Sequence, residues 1–163
     1  MSKSAKKHPP KKKHPKRPRP EPIVPLTDEE REHYAKSEFA KASMHLEEAE
    51  AQTKARIAPN ACAHSAYYAM YHCAAASILA AGGVGKRKDF PASHTHVIEH
   101  FARLVVGEGG ALAECGPLLS RAQTDRDVAD YDLAREVSLK DAAALAADAR
   151  RFLEACNTKW KLR

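Results

Sequence analysis

Residues 61–81 limit what this chain can become more than any other segment. Apolar or small side chains fill nearly every position: Ala61, Cys62, Ala66, Ala69, Met70, Cys73, Ala74, Ala76, Ile78 and Leu79. Alanine, leucine and methionine favour helix, and no glycine or proline interrupts the run. A helix without a polar face has to be enclosed by other elements. The segment therefore predicts a central helix, capped by Asn60 and stopped by Gly82-Gly83, inside a shell of others. Its longest largely apolar run, Cys73–Ala81, is nine residues, about half of what a bilayer-spanning helix needs. No membrane partner is expected.

The shell is legible on both sides. Thr27-Asp28-Glu29-Glu30 is a capping box, in which the threonine hydroxyl accepts from the third helical N–H and Glu30 reaches back. Ala35, Phe39, Ala42, Leu46, Ala49 and Thr53 then recur at 4-3-4-3-4 spacing, one apolar stripe on a helix that Pro59 is expected to end, with Glu47, Glu48 and Glu50 turned to water. Ser93 caps a third helix with Val97, Phe101, Leu104 and Val105 inward. Pro117 suits the first turn of a fourth, whose stripe is Leu118, Ala122 and Ala129, with residues 130–137 as a connection. Ser138-Leu139-Lys140-Asp141 caps a fifth, with Ala142, Leu145, Ala149, Phe152 and Cys156 inward. No alternating strand pattern occurs, and few glycines and aromatics argue against a sandwich or barrel. The fold class expected is all-α, an up-and-down bundle of four to five helices with antiparallel neighbours at residues 26–157, between a disordered basic N-terminal tail (1–25) and a short basic C-terminal tail (158–163).

The charge separates the tail from the body. Lys3, Lys6, Lys7, Lys11, Lys12, Lys13, Lys16, Arg17 and Arg19 stand against the single acid Glu21 in the first 25 residues, which also hold seven of the ten prolines; the remainder nets −2. Repelling lysines and prolines without apolar neighbours predict disorder, with local polyproline II around Pro18–Pro25. The nine cations are the candidate nucleic-acid-binding residues, because clustered Lys and Arg neutralise phosphates and release counterions. No aromatic is interleaved, so a means of reading bases is missing. The prolines forbid an amphipathic transit helix, and no apolar stretch follows the charges as in a secretory leader. Cys62, Cys73, Cys115 and Cys156 form no C-x-x-C pair and read as reduced, buried thiols of a cytoplasmic protein.

Three groups could carry chemistry. His94, His96 and His100 lie within seven residues, but a zinc site needs three or four ligands and no zincin motif is completed, so they are weak metal candidates and no cofactor is expected. His64, Tyr68 and His72 follow an i, i+4, i+8 course on the central helix, either bonding to neighbouring helices or facing a ligand or a second subunit. Arg126 falls on the apolar stripe of the fourth helix, where a guanidinium needs a partner such as Asp130 one turn on, or a phosphate. Gly82-Gly83-Val84-Gly85-Lys86 lacks P-loop spacing, and no nucleophile elbow exists.

Ser65-Ala66-Tyr67-Tyr68-Ala69-Met70-Tyr71-His72 resembles the R-A-Y-Y-A-x-F-H segment of the HEPN family (higher eukaryotes and prokaryotes nucleotide-binding). Ser93-His94-Thr95-His96-Val97-Ile98 with Phe101, the stretch Arg126 to Tyr131, and Glu136-Val137-Ser138 with Asp141-Ala142 and Phe152-Leu153 resemble later elements of that family, in order, over residues 30–156. The resemblance implies a helical bundle, frequently a homodimer, often paired with a minimal nucleotidyltransferase as toxin and antitoxin; many members are metal-independent ribonucleases. Their R-x4-6-H motif would place a histidine between Tyr131 and Leu133, where this chain reads Tyr-Asp-Leu. Ser65 also stands where many relatives carry arginine. The expectation is therefore a non-catalytic interaction module. The alternative is a ribonuclease with an atypical site of Arg126, Asp130 and Tyr131, or His72. Modification of Tyr131 by a partner is left open.

The tail generates the first prediction. Deleting residues 2–20 should abolish retention on heparin or RNA, with the full-length affinity micromolar or weaker and falling steeply with salt, while thermal melting of the bundle stays nearly unchanged. Retained binding after deletion would place the site on the body, at Lys86, Arg87 and Lys88.

Overall fold

A computed structural model describes residues 25–84, 93–132 and 134–163. The disorder expected for the tail, its nine cations and the Lys86-Arg87-Lys88 loop lie outside the described residues. Five helices follow in order: α1 (Asp28–Ala55), α2 (Pro59–Ala80), α3 (His94–Val105), α4 (Ala111–Tyr131) and α5 (Leu139–Trp160). No β-strand occurs among the described residues, and no helix is long and apolar enough to cross a membrane.

α2 is the central element. It packs against all four other helices, and fourteen of its residues are buried, from Cys62 to Leu79. Many of these are alanines with no exposed surface (Ala63, Ala66, Ala69, Ala74, Ala76), so neighbouring backbones approach closely. Larger side chains from the shell fill the remaining space, with the rings of Phe101 (α3) and Phe152 (α5) 5.1 Å apart. The four cysteines are buried and unpaired; the Cys62 thiol donates to the carbonyl oxygens of Ala49 and Ala142.

The expected caps at three helix starts are present. Thr27 accepts from Glu30 N–H while Glu30 accepts from Thr27 N–H, and Ser93 and Ser138 cap α3 and α5. Other boundaries differ. α1 ends before Pro59, at a left-handed Arg56 (φ 54°) whose N–H is held by the Gln52 and Thr53 carbonyls. Pro59 instead opens α2, where a missing N–H costs nothing. Asn60 is already inside that helix, and its side chain accepts from Val137 N–H at 3.0 Å, tying the approach to α5 onto α2. Gly82 turns the chain at φ 74°, and a side chain on Gly83 would meet the Ile78 carbonyl oxygen at 3.0 Å, which accounts for the Gly-Gly stop.

α4 begins at Ala111, six residues before Pro117, so this proline sits inside the helix. Its core line is Cys115, Leu119 and Ala122, one step from the expected Leu118 stripe. The same helix runs to Tyr131, which takes Asp130 and Tyr131 out of the expected connection. At the other end, α5 continues to Trp160 and Leu162 is 2 % exposed. Within residues 158–163 Trp160 and Leu162 face the core, while Lys159, Lys161 and Arg163 stay exposed.

Close backbone approach along α2 sets the second prediction. Ala69→Leu, at a position with no exposed surface, should destabilise the bundle by about 1–3 kcal/mol through overpacking. Ala51→Leu, on the exposed side of α1, should leave the denaturation midpoint within experimental error.

Candidate functional site

The polar side of α2 carries Tyr67, Tyr68 and Tyr71 among His64 and His72. A central helix has to satisfy these groups through its neighbours, and it does so in three directions. His64 Nδ1 donates to Asp130 of α4 at 3.1 Å. His72 Nδ1 donates to Glu38 of α1 at 2.6 Å. Tyr67, fully buried, donates its hydroxyl to Nδ1 of His94, the first residue of α3, also at 2.6 Å. Within the i, i+4, i+8 row His64 and His72 bond to neighbouring helices, and Tyr68 between them makes ring contacts.

Around these bonds the rings form one continuous surface. Tyr68 is its centre, with ring centroids at 4.7 Å from His64, 5.7 Å from His45, 6.1 Å from His72 and 5.6 Å from His94. His45 and His72 stack in near-parallel planes at 5.5 Å, and His94 stacks on Tyr71 at 4.6 Å. His45 Nδ1 in turn donates to Glu48, which also accepts from Ser65. Three imidazoles, His45, His64 and His72, thus spend Nδ1 on a carboxylate. A neutral ring held this way carries its lone pair on Nε2.

Arg126 closes the surface from α4. Its side chain is 15 % exposed and lies 5.8 Å above the Tyr68 ring and 5.0 Å from Tyr131. Nη1 donates to Asp127 at 3.1 Å and Nη2 to the Tyr131 hydroxyl at 3.2 Å. Nε approaches Asp130 Oδ2 at 2.6 Å off the N–H axis, a charge contact without a directed hydrogen bond. Asp130 therefore serves Arg126 and His64 together. Arg126, Asp130 and Tyr131 are brought together as expected, and Tyr68 joins them to His72, which touches the far part of the ring surface.

Burial sets the protonation of the inner groups. It pushes the Tyr67 hydroxyl well above the ordinary phenol range, reinforced by Tyr71 and Tyr68, so Tyr67 remains a donor. Burial, with Arg126 close by, holds His94 below its ordinary value, which favours the neutral ring, the form with a lone pair free to accept from a hydroxyl. Burial would raise Glu38, but hydrogen bonds and charges from His72 and Lys41 outweigh it and keep this carboxyl below its ordinary value.

The histidines proposed for a metal do not converge. His94 turns into the tyrosines while His96 and His100 stand edge to face at 5.8 Å. Among the described residues no three His, Cys, Asp or Glu side chains are placed to hold a metal ion. Sequence reasoning missed Glu38, His45 and Glu48 as members of the site. Glu38 directly precedes Phe39 of the α1 stripe and is itself buried, and that adjacency was the only available signal.

Compared with known proteins, the chain matches no protein-family model and no curated protein.

The Glu38 contacts give the third prediction. Glu38→Gln should cost about 1–3 kcal/mol near neutral pH, since it strips a charged hydrogen-bond partner from His72 and Lys41. A carboxyl whose folded pKa is depressed contributes stability above its unfolded pKa, about 4.3, and loses it as pH falls through the folded value. Denaturation measured down this range should show the gap between wild type and variant closing below pH ~4.

Proposed function

We propose that this chain is a HEPN-type helical interaction module, without catalytic activity, that acts with a nucleotidyltransferase-like protein in a toxin–antitoxin or defence-type pair, as a homodimer. One observation carries the non-catalytic reading. The guanidinium that would meet a phosphate is hemmed in by Asp127 and Asp130, and carboxylates beside it repel the same phosphate. The positions where ribonuclease relatives carry their motif histidine hold Tyr131, Asp132 and Leu133. The basic tail supplies contact with RNA or DNA. Four unpaired thiols fit a reducing compartment, the cytoplasm.

A second reading is favoured by a specific contact. Asp130 holds Arg126 and His64 at once, so an imidazole from α2 occupies the vicinity of the one missing from α4. In a metal-independent ribonuclease, Arg126 would steady the phosphate and His64 Nε2 would take the proton of the attacking ribose hydroxyl.

Purified protein incubated with cellular RNA in the presence of chelator discriminates the two. The expected result is intact RNA. Cleavage lost in both Arg126→Ala and His64→Ala would establish the ribonuclease instead. Sedimentation at tens of micromolar should show a dimer, and a clean monomer would remove that part of the reading.

A further inference from the structure

The end of α1 and the starts of α2 and α5 meet around a cavity of about 280 Å³ that shares no lining residue with the ring surface. Its floor is Cys62, whose thiol lies 3.3 Å from the Thr53 hydroxyl of α1 and donates to the Ala142 carbonyl of α5 at 3.6 Å. Pro59 and Ala143 add to an apolar lining. Ile57 and Leu139 also line it and carry the apolar surface outwards, at 59 % and 42 % exposure.

Three polar side chains interrupt this lining. Gln52 contributes a side-chain oxygen that is buried and accepts from no donor, whereas buried acceptors are normally met. Arg56 of α1 and Lys140 of α5 stand exposed at the cavity, and neither has an ion pair among the described residues. None of the lining residues is acidic. α2 and α5 both start here, so the positive ends of two helix dipoles add to the two cations.

These features fit one chemical class: an apolar residue that bears both an N–H and a free α-carboxylate. We propose that the cavity captures the C-terminal residue of a partner protein. The apolar side chain of that residue fills the space above Cys62, its amide N–H donates to Gln52 Oε1, and its carboxylate meets Arg56 and Lys140. Gln52 and Arg56 are one helical turn apart, the spacing at which side chains on one face are neighbours, so a single residue can reach both. The size agrees. A cavity of about 280 Å³ lies just under the ~300–1,000 Å³ of sites for drug-sized ligands, which suits one side chain and not a nucleotide. Ile57 and Leu139 select a chain end over a free amino acid, because the residues preceding the last one cover them and a free amino acid leaves them bare. The site is separate from Arg126 and from the basic tail, so it goes beyond the function proposed above and does not depend on it.

An NMR titration of the full, isotope-labelled chain tests this, with N-acetylated Gly-Ser-Ala-X peptides in which X is Val, Leu, Ile, Met or Phe. At least one free-acid peptide should bind with sub-millimolar affinity. It should shift the backbone signals of Gln52, Ile57, Lys140 and Ala143 and leave those of Tyr68 and Arg126 in place. Amidating the peptide C-terminus should weaken binding about tenfold or more, since a charge-assisted contact is lost. Arg56→Gln/Lys140→Gln should do the same, and Ala143→Phe, which fills the cavity from α5, should abolish binding. Gln52→Met separates recognition from folding. It should weaken the peptide while the melting temperature stays unchanged or rises, because it removes a buried acceptor that nothing meets. Failure of all five peptides, equal binding of the amides, or a lower melting temperature in Gln52→Met would overturn the proposal. So would binding that survives Arg56→Gln/Lys140→Gln, which would place the carboxylate on the basic tail, and so would free leucine binding as tightly as the Leu peptide.

Discussion

Everything in this bundle depends on enclosing α2. A helix buried against four neighbours cannot leave a phenol or an imidazole unpartnered, because an unmet polar group away from water costs about 1–3 kcal/mol. His72, Tyr67 and His64 of α2 therefore recruit partners on three other helices: Glu38 on α1, His94 on α3 and Asp130 on α4. These bonds fix how the outer helices are rotated, since Glu38 and Asp130 must present their carboxylates to one line of residues. The site is the by-product of that requirement. Hydrophobic burial supplies the driving force for the assembly, and the polar row selects one arrangement of it.

The fold was largely readable because its signals are local. The Thr27, Ser93 and Ser138 caps, the α1 stripe and the α5 stripe each depend on residues a turn apart, and they lie where the pattern placed them. Errors occurred where tertiary contact overrode local preference. Pro117 looked like a helix start, but Leu112 and Cys115 pack into the core ahead of it and extend the helix backwards. Asn60 looked like a cap, but the connection before α5 needed an acceptor for Val137 N–H. Trp160 and Leu162 were hidden among Lys159, Lys161 and Arg163.

The site was only half readable for the same reason. Arg126 stood out as a cation on an apolar stripe, and the His64–Tyr68–His72 row stood out on an apolar helix. Asp130 was readable as the partner of Arg126 one turn away, but what His72 and His64 bonded to could not be read from spacing, because their partners lie 34 and 66 residues away in the chain. Glu48 looked like an ordinary charge of a solvated helix, and its bonds to His45 and to Ser65 of α2 distinguish it; Glu38 is distinguished by its bond to His72 of α2.

The buried thiols turn the bundle into its own clock. Cys62 and Cys73 sit on α2, Cys115 on α4 and Cys156 on α5, all at most 1 % exposed. An alkylating reagent can reach each sulfur only through an opening of the structure around it, and such openings range from local fraying to global unfolding. The four modification rates therefore rank the helices by how often they part from the core. Cys62, under the short turn between α1 and α2, reports on that end of the bundle, while Cys73, at the middle of α2, reports on the loss of the enclosure itself.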